Sequence, residues 1–253
     1  MDLPRNTFKH AIAQGRQQVG LWCTLSSPYA AELVAGAGFD WLLFDTEHSP
    51  SDIETVLGQL QAVAPYDVSA IVRPASNDPV LIKRLLDIGT QSLLLPYVES
   101  ADEARAAVAS TRYAPEGVRG VSSLTRATRF GRVSGYATRA ASEIAVLVQV
   151  ETGNALANLE SIAAVDGVDG VFIGPADLAA SLGHPGNAGH PEVKAAIQDG
   201  IRRIRACGKP AGILTPDTAF AQECIALGTL FTAVGVDVGI LARQAERLAE
   251  QFR

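Results

Sequence analysis

Residues 144–177 read IAVLVQVETGNALANLESIAAVDGVDGVFIGPAD. A short aliphatic run opens the stretch, an amphipathic segment of more than ten residues follows, and a second short run closes it at residues 170–173. Strand-length apolar runs separated by a helix-length amphipathic segment describe a βαβ unit, two parallel strands joined by a crossover helix. Both runs end on polar side chains: Gln149 and Glu151 after the first, Asp177 after the second.

The same alternation extends in both directions. Strands are expected at residues 19–25, 41–45, 69–73, 92–96, 144–150, 170–173, 211–214 and 231–234, with helical segments such as 28–37, 51–63, 79–88 and 101–110 between them. Gly38, Gly89, Gly208 and Gly228 stand where helices should stop, and Ser27, Ser51, Asp78, Ser100 and Asp217 where they should start, as left-handed exits and N-caps require. Eight βα units in 253 residues match the about 250 residues of a closed (β/α)8 barrel. The predicted class is therefore α/β, a single barrel domain over residues 1–253.

The composition fits that fold and excludes others. An apolar fraction of 47% against 19% charged suits a large core and argues against disorder. The net charge of −6 comes with basic residues scattered singly, so neither nucleic acid nor an anionic membrane is an expected partner. Cys23, Cys207 and Cys224 are widely spaced beside apolar runs and read as reduced core thiols. The first sixteen residues, MDLPRNTFKHAIAQGR, lack the apolar core of a signal peptide, and no apolar stretch reaches the roughly 18 residues of a membrane span. A cytoplasmic location is expected.

In such a barrel the interior is packed, and chemistry sits at the C-terminal ends of the strands. Strand 2 ends in FDTEHSP with Asp45, Glu47 and His48, strand 3 in IVRP with Arg73, strand 5 in VQVETG with Gln149 and Glu151, and strand 6 in FIGPADL with Asp177. Singly, a histidine there reads as an ordinary polar residue and an acid as a helix cap. Closure of the barrel brings all of them to one rim. Carboxylates with no thiolate or histidine trio suit a hard divalent cation, Mg2+, Mn2+ or Co2+, and Glu151 and Asp177 are the expected ligands. A 2-oxo acid chelating that ion would have its enolate stabilised, Arg73 would add positive charge at the same oxygen, and His48 hydrogen-bonded to Asp45 would serve as the base. No organic cofactor is implied. A Schiff-base mechanism needs a lysine at the rim; Lys9 lies in the N-terminal segment, Lys83 and Lys194 within helices, and Lys209 before strand 7, at the opposite end.

Other features read more plainly. AVGVDVG after strand 8 is compatible with a phosphate-binding turn but lacks a glycine-rich partner after strand 7. Trp22 and Leu214, at the ends of strands 1 and 7, are candidates for the apolar side of a substrate site, with a core role open for Trp22. Two connections, 111–142 and 181–191, exceed the roughly 2–6 residues usual between elements. Arg119, Arg126, Arg129 and Arg132 in the first, and His184 and His190 in the second, are read as solvated.

The segments GLWCTLSSPYAAELVAGAGFDWLLFDTEHSP, VRPASNDPVLIKRLLDIGTQSLLLPYV, VLVQVETGNALANL and GVDGVFIGPADLAASLG resemble the HpcH/HpaI aldolase family nearly end to end, and within it the hydroxyketoacid aldolases. The resemblance implies a TIM barrel and a class II aldolase that reversibly cleaves 4-hydroxy-2-oxo acids to pyruvate and an aldehyde, such as succinic semialdehyde, through a metal-stabilised pyruvate enolate. It further implies metal ligation by Glu151 and Asp177, and pyruvate anchored by Arg73, Gln149 and the backbone amides of Ala176 and Asp177. His48 and Asp45 would be the acid–base pair. It also implies a homohexamer, a trimer of dimers, with the C-terminal helix exchanged between neighbours. The chain departs from the family pattern at GVSSLTRATRFGRVSGY and LTPDT, both expected to face the aldehyde. Competing expectations are a citrate-lyase-β-like acyl-CoA lyase and a non-catalytic 2-oxo acid-binding barrel.

Overall fold

Eight parallel strands close on themselves in sequence order in a computed structural model that describes residues 1–253. They are β1 (Gln18–Cys23), β2 (Trp41–Asp45), β3 (Ser69–Arg73), β4 (Ser92–Leu95), β5 (Ala145–Val150), β6 (Gly170–Ile173), β7 (Ala211–Leu214) and β8 (Thr229–Val236), with helices between successive strands. The fold is thus a (β/α)8 barrel. Strand β8 runs two residues further at each end than expected. Strand β1 stops at Cys23 instead of residue 25, because the amides of Thr24 and Leu25 bond to the Asp237 carboxylate, at 2.8 and 3.2 Å, and not to a neighbouring strand.

Local signals place the helices. Ser27, Asp78, Ser100 and Asp217 each accept a hydrogen bond from a first-turn amide, and Gly38, Gly89, Gly208 and Gly228 adopt positive φ, where a side chain would clash. At the third helix the cap is Asp52, which accepts from Thr55 N at 2.9 Å. Ser51 instead donates to Ser26 Oγ at 2.8 Å.

Two apolar layers result. One lies between strands and helices. The other fills the barrel with Trp22, Trp41, Leu43, Ile71, Leu94, Leu147, Phe172 and Phe231. Large rings need small neighbours: a Cβ on Gly20 would overlap the Trp41 indole. A helix that sequence patterning left unassigned, Thr7–Ala13, plugs the N-terminal end of the barrel. Its fully buried Phe8 meets Trp41 and Phe231 edge-on, at centroid distances of 6.1 and 5.8 Å.

Two expectations are corrected here. The segment after the helix Ala101–Thr111 does not face the mouth of its own barrel. That helix starts beyond the C-terminal end of β4 and runs back, so the following chain stays at the N-terminal end: Arg126 donates to Ile88 O at 2.7 Å and Ala127 N to Asp87 O at 3.1 Å. Nor is Arg119 solvated. It is 3% exposed, pairs with Asp87 at 2.8 Å and lies over the rings of Tyr113 and Tyr136.

The terminal helix, Asp237–Glu250, buries only Asp237 within the chain, leaving Val238, Ile240, Leu241 and Leu248 exposed. No helix is long and apolar enough to cross a membrane.

Because Phe8 seals the barrel floor, Phe8→Ala should lower the unfolding free energy by about 3–5 kcal/mol. Urea denaturation checks this, and a loss below about 1 kcal/mol would mean that the plug is not part of the core.

Candidate active site

The strands bring the predicted polar residues to one rim. Asp45 and Arg73 are register partners on β2 and β3, so their side chains emerge side by side. The guanidinium grips the carboxylate with two bonds, Nε to Oδ1 at 2.8 Å and Nη2 to Oδ2 at 2.6 Å, the bidentate geometry for which arginine is suited. Trp22 Nε1 donates to Asp45 Oδ2 at 3.3 Å, and its indole lies 5.0 Å from the guanidinium carbon. Trp22 is therefore both core and site: it packs against Phe172 and supports the ion pair. Leu214, partly buried, packs against the same cluster.

Arg73 Nη1 also lies 2.8 Å from Glu47 Oε2, close enough for an ion pair although not aligned as a hydrogen bond. Burial opposes the arginine charge, but the bonds and charge of Asp45, with help from Glu47, outweigh it and raise the Arg73 pKa. Burial likewise pushes Asp45 upward, and Arg73 reverses this to leave its carboxyl below the ordinary range. A guanidinium carries five N–H groups; two are directed at Asp45, which leaves three without a hydrogen-bond acceptor.

Here the structure departs from the expected acid–base pair. Asp45 makes no hydrogen bond to His48. Its oxygens are taken by Arg73, Trp22 and the Glu47 amide, while His48 lies three residues further on, exposed in the bend after β2. The Ser49 hydroxyl is bonded to Asp45 O and closes the bend that carries His48.

Opposite this pair stand Glu151 and Asp177. Glu151 is 1% exposed. Its Oε1 accepts from Tyr97 N at 2.8 Å and its Oε2 from Gln149 Nε2. Asp177 lies in the first turn of the helix Pro175–Ser181, together with Ala176, whose first-turn amide has no partner within the helix. Tyr97 donates its hydroxyl to Asp177 Oδ1 at 3.0 Å, so one residue holds both carboxylates. It does so from a left-handed backbone, φ 51°, uncommon for a bulky side chain. The bond to Asp177 pushes the Tyr97 phenol to about 12. Gly174 is required by close approach: an added Cβ would lie 2.5 Å from Glu151 Oε2 and 2.8 Å from Gln149 Nε2.

The electrostatics favour a cation. Burial, with repulsion from Asp177 and Glu47, raises the Glu151 carboxyl to about 7 despite the Tyr97 amide. Burial also raises Glu47, with Asp45 and Asp177 adding to the effect. Gln149 Oε1 is buried with no donor. Crowded carboxylate oxygens with an orphaned acceptor beside them fit a hard divalent ion, which Glu151 and Asp177 are placed to hold if it binds. By contrast, the turn after β8 does not suit phosphate, because the Asp237 carboxylate fills it, bonded to Thr24 and to Val238 N.

Tyr97 and Gly174 were not singled out by sequence patterning, and Glu47 was named without a role. In SLLLPYV the strand is followed two residues later by an aromatic that carries a hydroxyl, an uncharged signal at a position where charged groups were sought.

Comparison with known proteins agrees with this architecture. The model of the HpcH/HpaI aldolase/citrate lyase family matches residues 18–244. A pyruvate aldolase of Rhizobium etli is 69% identical over 252 residues, covering 100% of this chain and 99% of that protein. A 4-hydroxy-2-oxo-heptane-1,7-dioate aldolase of Salmonella heidelberg is 57% identical over 249 residues, covering 98% and 95%. Among solved structures, an HpcH/HpaI aldolase/citrate lyase family protein of Burkholderia cenocepacia superposes with a TM-score of 0.94 at 39% identity, covering 98% of this chain and 99% of that one. With aldolases as its relatives and the carboxylate cluster at its mouth, the chain is a carbon–carbon lyase and belongs to the HpcH/HpaI aldolase/citrate lyase family.

Proposed function

We propose that this aldolase is metal-dependent and cleaves 4-hydroxy-2-oxo acids reversibly to pyruvate and an aldehyde, succinic semialdehyde being one. The observation that carries the reading is the facing arrangement of Arg73 and the Glu151–Asp177 pair, cation donor against carboxylates, over an apolar floor of Trp22 and Leu214. When bound by Glu151 and Asp177, Mg2+, Mn2+ or Co2+ supplies the Lewis acidity that stabilises an enolate.

The chain's own residues do the rest. Unused N–H groups of Arg73 meet the developing oxyanion of the 2-oxo acid, and Gln149 and the first-turn amides of Ala176 and Asp177 orient its carboxylate. His48, at the exposed rim, takes the proton from the 4-hydroxyl as the C3–C4 bond breaks and the aldehyde forms. The bonding pair passes to the enolate, and a proton delivered at C3 completes pyruvate. Asp45 acts through Arg73, holding its charge and aim. The lysines support the same reading: Lys9 and Lys209 bond carbonyls at the barrel floor, Lys194 pairs with Asp217, and Lys83 sits in a helix.

Assembly as a homohexamer, a trimer of dimers with the terminal helix exchanged, is part of the proposal. It is supported by the uncovered Val238, Ile240, Leu241 and Leu248, and by Val118, Val121, Leu124 and Phe130, all exposed. Action in the cytoplasm is proposed on the three free thiols.

Chelator-stripped protein should release no pyruvate from 4-hydroxy-2-oxoheptanedioate until Mg2+, Mn2+ or Co2+ is restored, as followed by coupled pyruvate detection. Activity that survives stripping and is trapped by borohydride would establish a Schiff base instead. Replacing Glu151 or Asp177 by Ala should weaken metal binding at least about 10-fold in calorimetric titration; unchanged titration curves would mean the ligands lie elsewhere.

His48→Ala should lower kcat by about 10²–10⁴-fold with an unchanged melting temperature, since its side chain is exposed and unbonded. Asp45→Asn should cost activity and also about 3–5 kcal/mol of stability, because it strands a buried guanidinium. Equal, non-additive losses of activity in the two variants, with stability intact, would restore the Asp45–His48 pair.

A further inference from the structure

The connection between the helix Pro175–Ser181 and the helix Pro191–Ala206 does not behave as solvated loop. The chain leaves the first helix through Gly183, φ 85°, and turns again at Gly186, φ 76°. Backbone bonds fix the path: His184 N to Ala179 O at 2.8 Å, Asn187 N to His184 O at 3.0 Å and His190 N to Asn187 O at 3.1 Å. His190 caps the second helix, its Nδ1 accepting from Glu192 N at 3.3 Å. These constraints stack the two imidazoles nearly parallel, with centroids 3.6 Å apart and planes 17° apart. Glu192 Oε2 lies 2.8 Å from His184 Nε2.

We infer that His184, His190 and Glu192 form a second metal site, for a borderline transition ion of the Zn2+, Ni2+ or Cu2+ class, on the outer side of the barrel mouth. One potential ligand atom from each residue lies within 4.8 Å of the other two, and bond lengths of about 2.0–2.2 Å set tetrahedral ligand atoms about 3.4 Å apart, so a small inward movement of the side chains closes the set. Two imidazole nitrogens and one carboxylate oxygen select these ions over Mg2+, which prefers oxygen ligands; a water completes the shell. Parallel rings aim their lone pairs side by side, so ligation rotates one ring, and the long cap bond of His190 yields to it. The exposed Pro185, Gly186 and Asn187 leave room for that movement.

The position gives the site a consequence. The helix that enters this loop carries Asp177 in its first turn, and its last residue, Ser181, accepts from Gly153 N at 3.0 Å. An ion bridging His184 to His190 and Glu192 staples the end of that short helix to the start of the next.

The test uses chelator-stripped full-length protein, ZnCl2 as the probe and excess Mg2+ throughout. The variant Glu151→Ala/Asp177→Ala removes the carboxylate pair from the count. Expected is one Zn2+ equivalent on that variant by equilibrium dialysis, weakened at least tenfold by adding His184→Asn and likewise by adding Glu192→Gln. Zn2+ should raise the melting temperature of the Glu151→Ala/Asp177→Ala variant but not of that variant carrying His184→Asn, and His184→Asn alone should keep the parent's Mg2+-dependent aldol rate. The inference falls if the Glu151→Ala/Asp177→Ala protein takes up no saturable equivalent, or if its equivalent survives both loop substitutions unweakened. Neither outcome bears on the catalytic reading, which rests on the other ligands.

Discussion

A closed eight-stranded barrel must be filled by its own side chains, and how this interior is filled decides where charge can stand. Along β2 the inward positions are Trp41, Leu43 and Asp45; along β3, Ile71 and Arg73; along β5, Leu147, Gln149 and Glu151, the apolar members of each series belonging to one buried cluster. Each series switches from apolar to polar at the C-terminal end of its strand. Below the switch, rings and Phe8 exclude water. Above it, the polar groups have only one another and the mouth.

That enforced company explains the electrostatics. Burying a charge is costly unless it is paired, and Arg73 meets the condition through the fork to Asp45. Glu151 does not: it has a backbone amide and a carboxamide but no cation, and its raised pKa follows. The site is thus compensated on its arginine side and uncompensated on its carboxylate side. A second carboxylate, Asp177, placed beside Glu151 by one tyrosine, is destabilising unless a further positive charge belongs there. The asymmetry, more than any single residue, argues for a divalent ion on the carboxylate side.

Much of this was legible in the sequence because strand ends are legible. An apolar run that stops on FDTEH or VQVET tells both where the strand ends and which polar groups it delivers, and closure of the barrel supplies their convergence without any coordinate. What could not be read was side-chain choice among near neighbours. Asp45 is three residues from His48 and a strand away from Arg73, and sequence proximity favoured the histidine; the register of β2 with β3 favours the arginine. Tyr97 was missed because its task is done half by a backbone amide, which every residue has. The plug helix was missed because seven residues give too short a window for periodicity, although Phe8 and Ile12 lie one turn apart.

The segment after the helix Ala101–Thr111 is placed by the direction of that helix. Its departures from the family pattern invited a role at the aldehyde, yet helix direction confines it to the floor of its own barrel, with Val118, Val121 and Leu124 turned outward and Arg119 locked inward on Asp87. Apolar side chains on a segment so firmly anchored are exposed in one fixed arrangement, and the anchoring costs chain entropy that a freely solvated loop would keep. The unfilled apolar side of the helix Asp237–Glu250 has the same character. Both surfaces suit the assembly proposed above, in which a segment far from its own mouth would lie near another's.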